Sequence, residues 1–222
     1  MLTVCWAAKG GSGTTVVAAA LALSSTRPSL LVDLDGEIPA VLGLPEPDRP
    51  GVAEWLASDT SADHLAELLI DIGPRAWLLP WRAAMSELRH EAVAVEHGGR
   101  WAALGDWLHD WSNQWGCDVT VDVGTRVPPE PLTARADRSL LVTRPCYLSL
   151  RRAVRSSCRP TGVILVDEPG RSLGHRDVEH ALGAPVEAVV SVDPSVARAV
   201  DAGLLAGRLP GVMTRALRRA AA

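Results

Sequence analysis

Several residue types are scarce in this chain, and each shortage removes a class of function. Phenylalanine is absent, tyrosine occurs once, and the 22 basic residues include a single lysine, Lys9. No apolar run reaches the roughly 18 to 20 residues needed to span a bilayer. The stretch Val16 to Leu23 also lacks the basic start and cleavage pattern of a secretory leader. Cys5, Cys117, Cys146 and Cys158 form no CxxC pair, and no histidines stand at zinc-ligand spacing. They read as buried free thiols in a reducing, cytoplasmic setting. His64, His90, His97, His109, His175 and His180 are scattered, and no nucleophile–base–acid set assembles around them. A formal net charge of -4 argues against an obligate nucleic-acid binder with a wholly basic surface.

What is present suits one buried α/β core. The chain has 222 residues, of which 47% are hydrophobic and 22% charged. That is enough for one domain spanning residues 1–222, with no repeat and no linker. Leu2 to Ala7 is a short apolar strand that runs into Lys9-Gly10-Gly11-Ser12-Gly13-Thr14-Thr15 and then into a helix over Val16 to Ser25. Ser29 to Leu34 follows as a second strand, ending in Asp33-Leu34-Asp35. The proline-rich stretch 36–51 reads as loop with a turn of helix near Val41, and 51–56 and 62–70 read as helices. Trp77 to Pro80 reads as a strand, and 82–99 is weakly patterned. Trp101, Leu104, Leu108 and Trp111 recur at helical spacing, with Trp107 and Trp115 widening the stripe. Strands are expected at 117–123, 139–143, 162–167 and 186–190, with helices at 148–157, 178–182, 196–205 and 212–221. Continuous apolar strands alternating with helices predict a three-layer α/β/α sandwich around a mostly parallel sheet.

The glycine loop carries the most chemistry. Closely spaced backbone N–H groups at a helix N-terminus surround an anion, and glycines permit the tight path. The full phosphate-loop pattern ends in G-K-[ST], where the lysine reaches the β/γ-phosphates and the hydroxyl holds Mg²⁺. Here Gly13 is followed by Thr14-Thr15, so the hydroxyl is kept and that lysine is missing. Asp33, Asp35 and Asp122 each close an apolar strand, where an aspartate also serves simply to cap a loop. Lys9, the one lysine of the chain, stands immediately before the glycines.

These residues resemble the ParA/MinD class of deviant Walker ATPases, whose loop reads K-G-G-x-G-K-[ST]. Lys9 to Thr15 matches at all defining positions but one. The resemblance implies a P-loop NTPase fold in which Lys9 is the signature residue that reaches across a nucleotide sandwich dimer. Asp33 and Asp35 match the family's D-x-D, with Asp35 acting on the attacking water and Asp33 supporting the metal side. Thr15 and Asp122 would hold Mg²⁺, and Lys9 to Thr15 with Asp33 and Asp122 would line the nucleotide. Leu141 to Pro145 with Leu148 to Ala153, and Val189 to Pro194 with Val196 to Gly203, look like later family segments. The asparagine expected after Val163 to Asp167, which reads adenine, is absent.

Two departures therefore point the same way. A loop without its lysine loses charge stabilisation aimed at the transferring phosphoryl group, and the missing asparagine weakens base recognition. The expectation is a degenerate member, similar to the CpaE/TadZ-like localisation proteins, with no nucleotide or weakly bound ATP/ADP and Mg²⁺. It would act as a positioning, scaffolding or regulatory protein through a protein partner, with a homodimer left open. The alternative is a slow ATPase that uses Lys9 from a second copy. Nucleic-acid binding is less favoured by the net charge. The arginine-bearing end, Leu209 to Ala222, leaves open peripheral contact with the membrane or a cell pole, with packing on the core preferred.

Overall fold

The computed structural model describes residues 1–82, 98–218 and 220–221. Eight strands form one sheet in the order β3-β4-β2-β5-β1-β6-β7-β8. The strands are β1 (Leu2–Trp6), β2 (Ser29–Asp33), β3 (Ile70–Gly73), β4 (Ala76–Leu79), β5 (Asp118–Asp122), β6 (Arg138–Thr143), β7 (Gly162–Asp167) and β8 (Val186–Ser191). Every pairing is parallel except β3 with β4, a hairpin at the edge. The three-layer α/β/α sandwich expected from the sequence is thus the observed architecture.

Alternation along β1 explains the two cores. Leu2, Val4 and Trp6 face one side and Cys5 the other, so a fully buried strand feeds both layers. On the first side lie α3 (Val52–Leu56), a 3-10 helix (Ala62–Leu68) and α4 (Gly98–Trp115), with Leu65, Leu104 and Leu108 fully buried. Leu150 of α6 (Tyr147–Val154) and Val178 of α7 (His175–Leu182) cover β7. On the second side α1 (Thr14–Ser24) is apolar on nearly all of its surface. It is enclosed between the sheet, α2 (Ile38–Leu42) and α9 (Gly211–Leu217). The remaining helices are α5 (Glu130–Thr133) and α8 (Pro194–Asp201).

Several boundaries differ from the sequence reading. The segment 62–70 splits into the 3-10 helix and edge strand β3, whose first residue Ile70 pairs with Leu78 of β4. Helix α5 follows Pro129, in a segment for which the sequence reading predicts no element. The weakly patterned stretch falls mostly on 83–97, which with His90 and His97 lies outside the described residues. Cys5 and Cys117 are buried free thiols as expected, whereas Cys146 and Cys158 are only half-buried. The tryptophan stripe divides: Trp101 is buried, Trp107 and Trp111 are half-buried, and Trp115 is 59% exposed. At the C-terminal end, Met213 and Leu217 are buried among the residues packed around α1 and β8, so the apolar side of α9 faces the core.

Candidate functional site

The glycine loop leaves the C-terminal end of β1, in the middle of the sheet, and enters α1. Gly11 (φ 75°) and Gly13 (φ 87°) occupy the left-handed region that disfavours any side chain. At Gly10, Gly11 and Gly13 the space where a Cβ would stand is open, so the backbone presents a bare cradle. The Ser12 hydroxyl donates to the Lys9 carbonyl at 2.7 Å and closes the loop. The Val17 N–H donates to the Gly13 carbonyl at 3.0 Å and starts the helix. The first turn of α1 carries no acidic residue, so its N-terminal dipole has no competing carboxylate there. Thr14 opens the helix and is 5% exposed, turned inward. Lys9 is partly exposed, and among the described residues its ammonium donates to the adjacent Gly10 carbonyl alone, at 3.3 Å.

Three acids gather beside the loop. Asp33 and Asp122 are direct partners in the β2–β5 register, and both are fully buried. Asp33 accepts from the N–H groups of Asp35 (3.0 Å), Gly36 (2.7 Å) and Ile38 (3.2 Å). Its carboxylate therefore folds the following turn and is spent on the chain itself. Asp122 Oδ1 accepts from the Gly124 N–H at 3.0 Å, while Oδ2 is buried with no hydrogen-bond partner. The Thr15 hydroxyl lies against the same carboxyl. Burial lifts Asp122 to about 7, against the Gly124 N–H and with a further push from Asp33. Burial likewise lifts Asp33 to about 6 despite its three donors.

Asp35 stands at the rim of this cluster. Its Oδ1 pairs with Arg126 Nη2 at 3.3 Å, and the same guanidinium donates to the Leu34 carbonyl and lies 5.4 Å from the Trp81 ring. Gly124 (φ 64°) passes directly beneath the Asp35 carboxyl, where any Cβ would collide with it. Glycine is required there twice over, by conformation and by contact. Sequence reasoning missed Arg126. The only available signal was a basic residue two places after the Val123-Gly124 strand end.

A cavity of about 320 Å³ adjoins Gly13 and is walled by Val166, Val190, Val192, Val196 and Met213, with Asp193 at its edge. It is apolar and falls where the resemblance places the base. No asparagine is among the residues that line it. The structure thus brings together the loop, Thr15, Asp33, Asp35 and Asp122, and it leaves the Lys9 ammonium outside that group.

The residues at the loop fit a magnesium nucleotide only in part. The open glycine cradle, a helix N-terminus with no acidic residue in its own first turn, and the Asp122 carboxyl against Thr15 suit a phosphate and a hard cation. Thr14, short and neutral, supplies no charge to the phosphates.

A glycine loop leading from a central parallel strand into a helix, with acids on the neighbouring strand ends, is the arrangement of the P-loop α/β fold. The solved structures that superpose on the chain are of that kind. A ParA family ATPase from Chlorobium tepidum has a TM-score of 0.73 and 20% identity, covering 99% of this chain and 97% of that one. The septum site-determining protein MinD complexed with Mg-ADP from Pyrococcus horikoshii has a TM-score of 0.73 and 20% identity, with 99% and 93% covered. Apo McdA from Cyanothece has a TM-score of 0.74 and 17% identity, with 99% and 98% covered. No protein-family model and no curated protein sequence matches the chain. At these identities the likeness establishes the fold.

Proposed function

We propose that this chain is a ParA/MinD-type P-loop protein that binds nucleotide weakly or not at all, hydrolyses none, and works as a positioning or scaffolding partner through protein contacts. The observation that carries the reading is Thr14. It occupies the first turn of α1, 5% exposed, at the position from which the loop lysine would reach the phosphates. The two nearby cations do not replace it: Lys9 turns to the Gly10 carbonyl, and Arg126 is engaged by Asp35 and the Leu34 carbonyl. Losing a charged group aimed at the developing charge costs about 3 to 4 kcal/mol, or two to three orders of magnitude in rate, by analogy with a lost oxyanion donor.

Where nucleotide enters, Gly10 to Gly13 would receive the phosphates on backbone N–H groups, and Thr15 with Asp122 would hold Mg²⁺. Asp33 would keep the Asp35 turn in place. Support for a magnesium nucleotide as the ligand comes from the neighbours, among them MinD with Mg-ADP and a McdA variant with ATP. Support for a positioning role comes from neighbours described as septum site-determining and plasmid partition proteins, and support for a protein partner from a MinC:MinD complex. Among the described residues no helix is long and apolar enough to cross a membrane. A peripheral location at a membrane would then rest on a partner, because the apolar side of α9 faces the core.

Calorimetry and phosphate release test the reading. Wild-type protein should show no ATP turnover above a Lys9→Ala control and weak or absent nucleotide binding. Thr14→Lys should raise nucleotide affinity at least about tenfold if the rest of the cradle is intact. Robust wild-type hydrolysis, abolished by Asp35→Ala, would refute it. That outcome would establish the second reading, a slow ATPase whose sandwich dimer borrows Lys9 from another copy; the outward-facing Lys9 is what favours it.

A further inference from the structure

A second concavity lies at the opposite end of the sheet from the glycine loop. Its volume is about 460 Å³, within the range of small-ligand sites. It is lined by Trp77, Trp111, Trp115, Asp71, Leu69 and Pro28 among others. Pro28 precedes β2, Trp77 lies near the start of β4, and Trp115 ends α4 just before β5. This is the N-terminal edge of the parallel strands, whereas the phosphate loop leaves their C-terminal edge. Nothing in the proposed nucleotide chemistry uses it.

We propose that this groove binds a small quaternary ammonium cation of the choline type, one that carries no carboxylate. Three indoles and one carboxylate face the same space. Asp71 is the direct antiparallel partner of Trp77 in the β3–β4 ladder, so the two side chains leave the same face of the sheet. The Asp71 carboxylate is steadied by the Gly73 N–H at 3.0 Å. Trp111 and Trp115 stand 5.7 Å apart with their planes inclined by 44°, which makes an angled wall and not a closed stack. Trp115 is 59% exposed, an unfavourable position for an indole that merely fills a core.

Among the described residues, Asp71 is the one charged residue that lines the groove. The last turn of α4 carries no basic residue of its own. Arg27, next to Pro28, is held away from the groove lining: it donates to the Gly116 carbonyl at 2.8 Å and pairs at 3.3 Å with Asp118, a carboxylate it shares with the Met1 ammonium. Arg75, in the β3–β4 turn, is not among the lining residues. Indole faces attract a cation electrostatically, and they do so best when the cation is weakly hydrated. A primary ammonium would surrender hydrogen bonds to water that one carboxylate could not restore. A methylated ammonium has no such loss. A zwitterion such as glycine betaine would bring its own carboxylate against Asp71.

Isothermal titration of the full chain tests this with four probes: choline, tetramethylammonium, glycine betaine and dimethylbutanol, the neutral carbon isostere of choline. Choline and tetramethylammonium should bind with a Kd below about 1 mM, and betaine and the isostere at least about tenfold more weakly. Asp71→Asn should weaken choline about tenfold and leave the isostere unchanged. Trp115→Leu, at an exposed position the fold does not need, should weaken choline as well. Equal binding of choline and its isostere would overturn the proposal and mark a plain apolar dock for a protein. So would the absence of choline binding up to about 10 mM, or an Asp71→Asn variant that binds choline as wild type does. None of these readings depends on whether nucleotide binds at the loop.

Discussion

Replacing Asp122 with asparagine should stabilise the protein above neutral pH, with a gain that fades on acidification. The folded protein holds this carboxyl to a value near 7, against an ordinary 3.8, because burial disfavours the charge and Asp33 stands beside it. Between those two values the native state binds more protons than the unfolded chain. Stability is therefore full below about pH 4 and falls as pH rises through 7. The separation of about three pH units, at about 1.4 kcal/mol each, sets a ceiling near 4 kcal/mol. Part of that belongs jointly to Asp33, so about 2 kcal/mol is the expected gain for D122N at pH 8. The amide keeps an oxygen for the Gly124 N–H and turns its nitrogen to the Thr15 hydroxyl, so the fold should be retained. For a chain of this size the gain raises Tm by roughly 4 to 8 °C. The assay is thermal and urea unfolding at pH 8 and pH 4.5, without magnesium or nucleotide. Equal stabilisation at both pH values, or loss of stability at pH 8, would refute the assignment of a buried charge whose burial outweighs its hydrogen bonds.

Three further perturbations follow from the packing. Gly43→Ala places a Cβ against the Gly203 carbonyl at a residue with φ 73° and should cost about 2 to 4 kcal/mol, read as a fall in urea midpoint. Gly124→Ala should cost about 2 kcal/mol and push the Asp35 carboxyl off its seat, visible in a crystal structure as a broken pair with Arg126. Leu104→Ala empties a fully buried position under β1 and should lower stability by about 2 to 5 kcal/mol.

The central βαβ unit was legible in the sequence because its signals are local and agree. A continuous apolar run, a glycine cluster and a second apolar run closing in Asp-Leu-Asp leave few other foldings. Edge strand β3 was not legible, because Ile70–Gly73 is half-exposed and too short to show alternation. The acids were legible as a group and opaque one by one. Asp33 and Asp122 both end apolar strands, yet Asp33 is consumed by three backbone donors while Asp122 keeps an oxygen unpaired. Which of two such aspartates retains capacity depends on the turn that follows, and no spacing rule encodes it. Arg126 reaches Asp35 across about ninety residues of chain, and the tryptophan groove is assembled from four separate segments. Contacts of that kind exist only once the sheet order is known.

The position of Lys9 makes the loop addressable by chemistry. It holds the chain's one ε-amine, partly exposed and bonded to the neighbouring Gly10 carbonyl. An amine-directed reagent therefore modifies a single side chain, told from the Met1 α-amine by peptide mapping, and that side chain sits at the mouth of the phosphate cradle. Acylation there removes the loop's lone ammonium and marks it in the same reaction. Protection from that label by an added ligand or a second copy of the chain would report occupancy of the loop directly, with no fluorophore engineered and no residue changed.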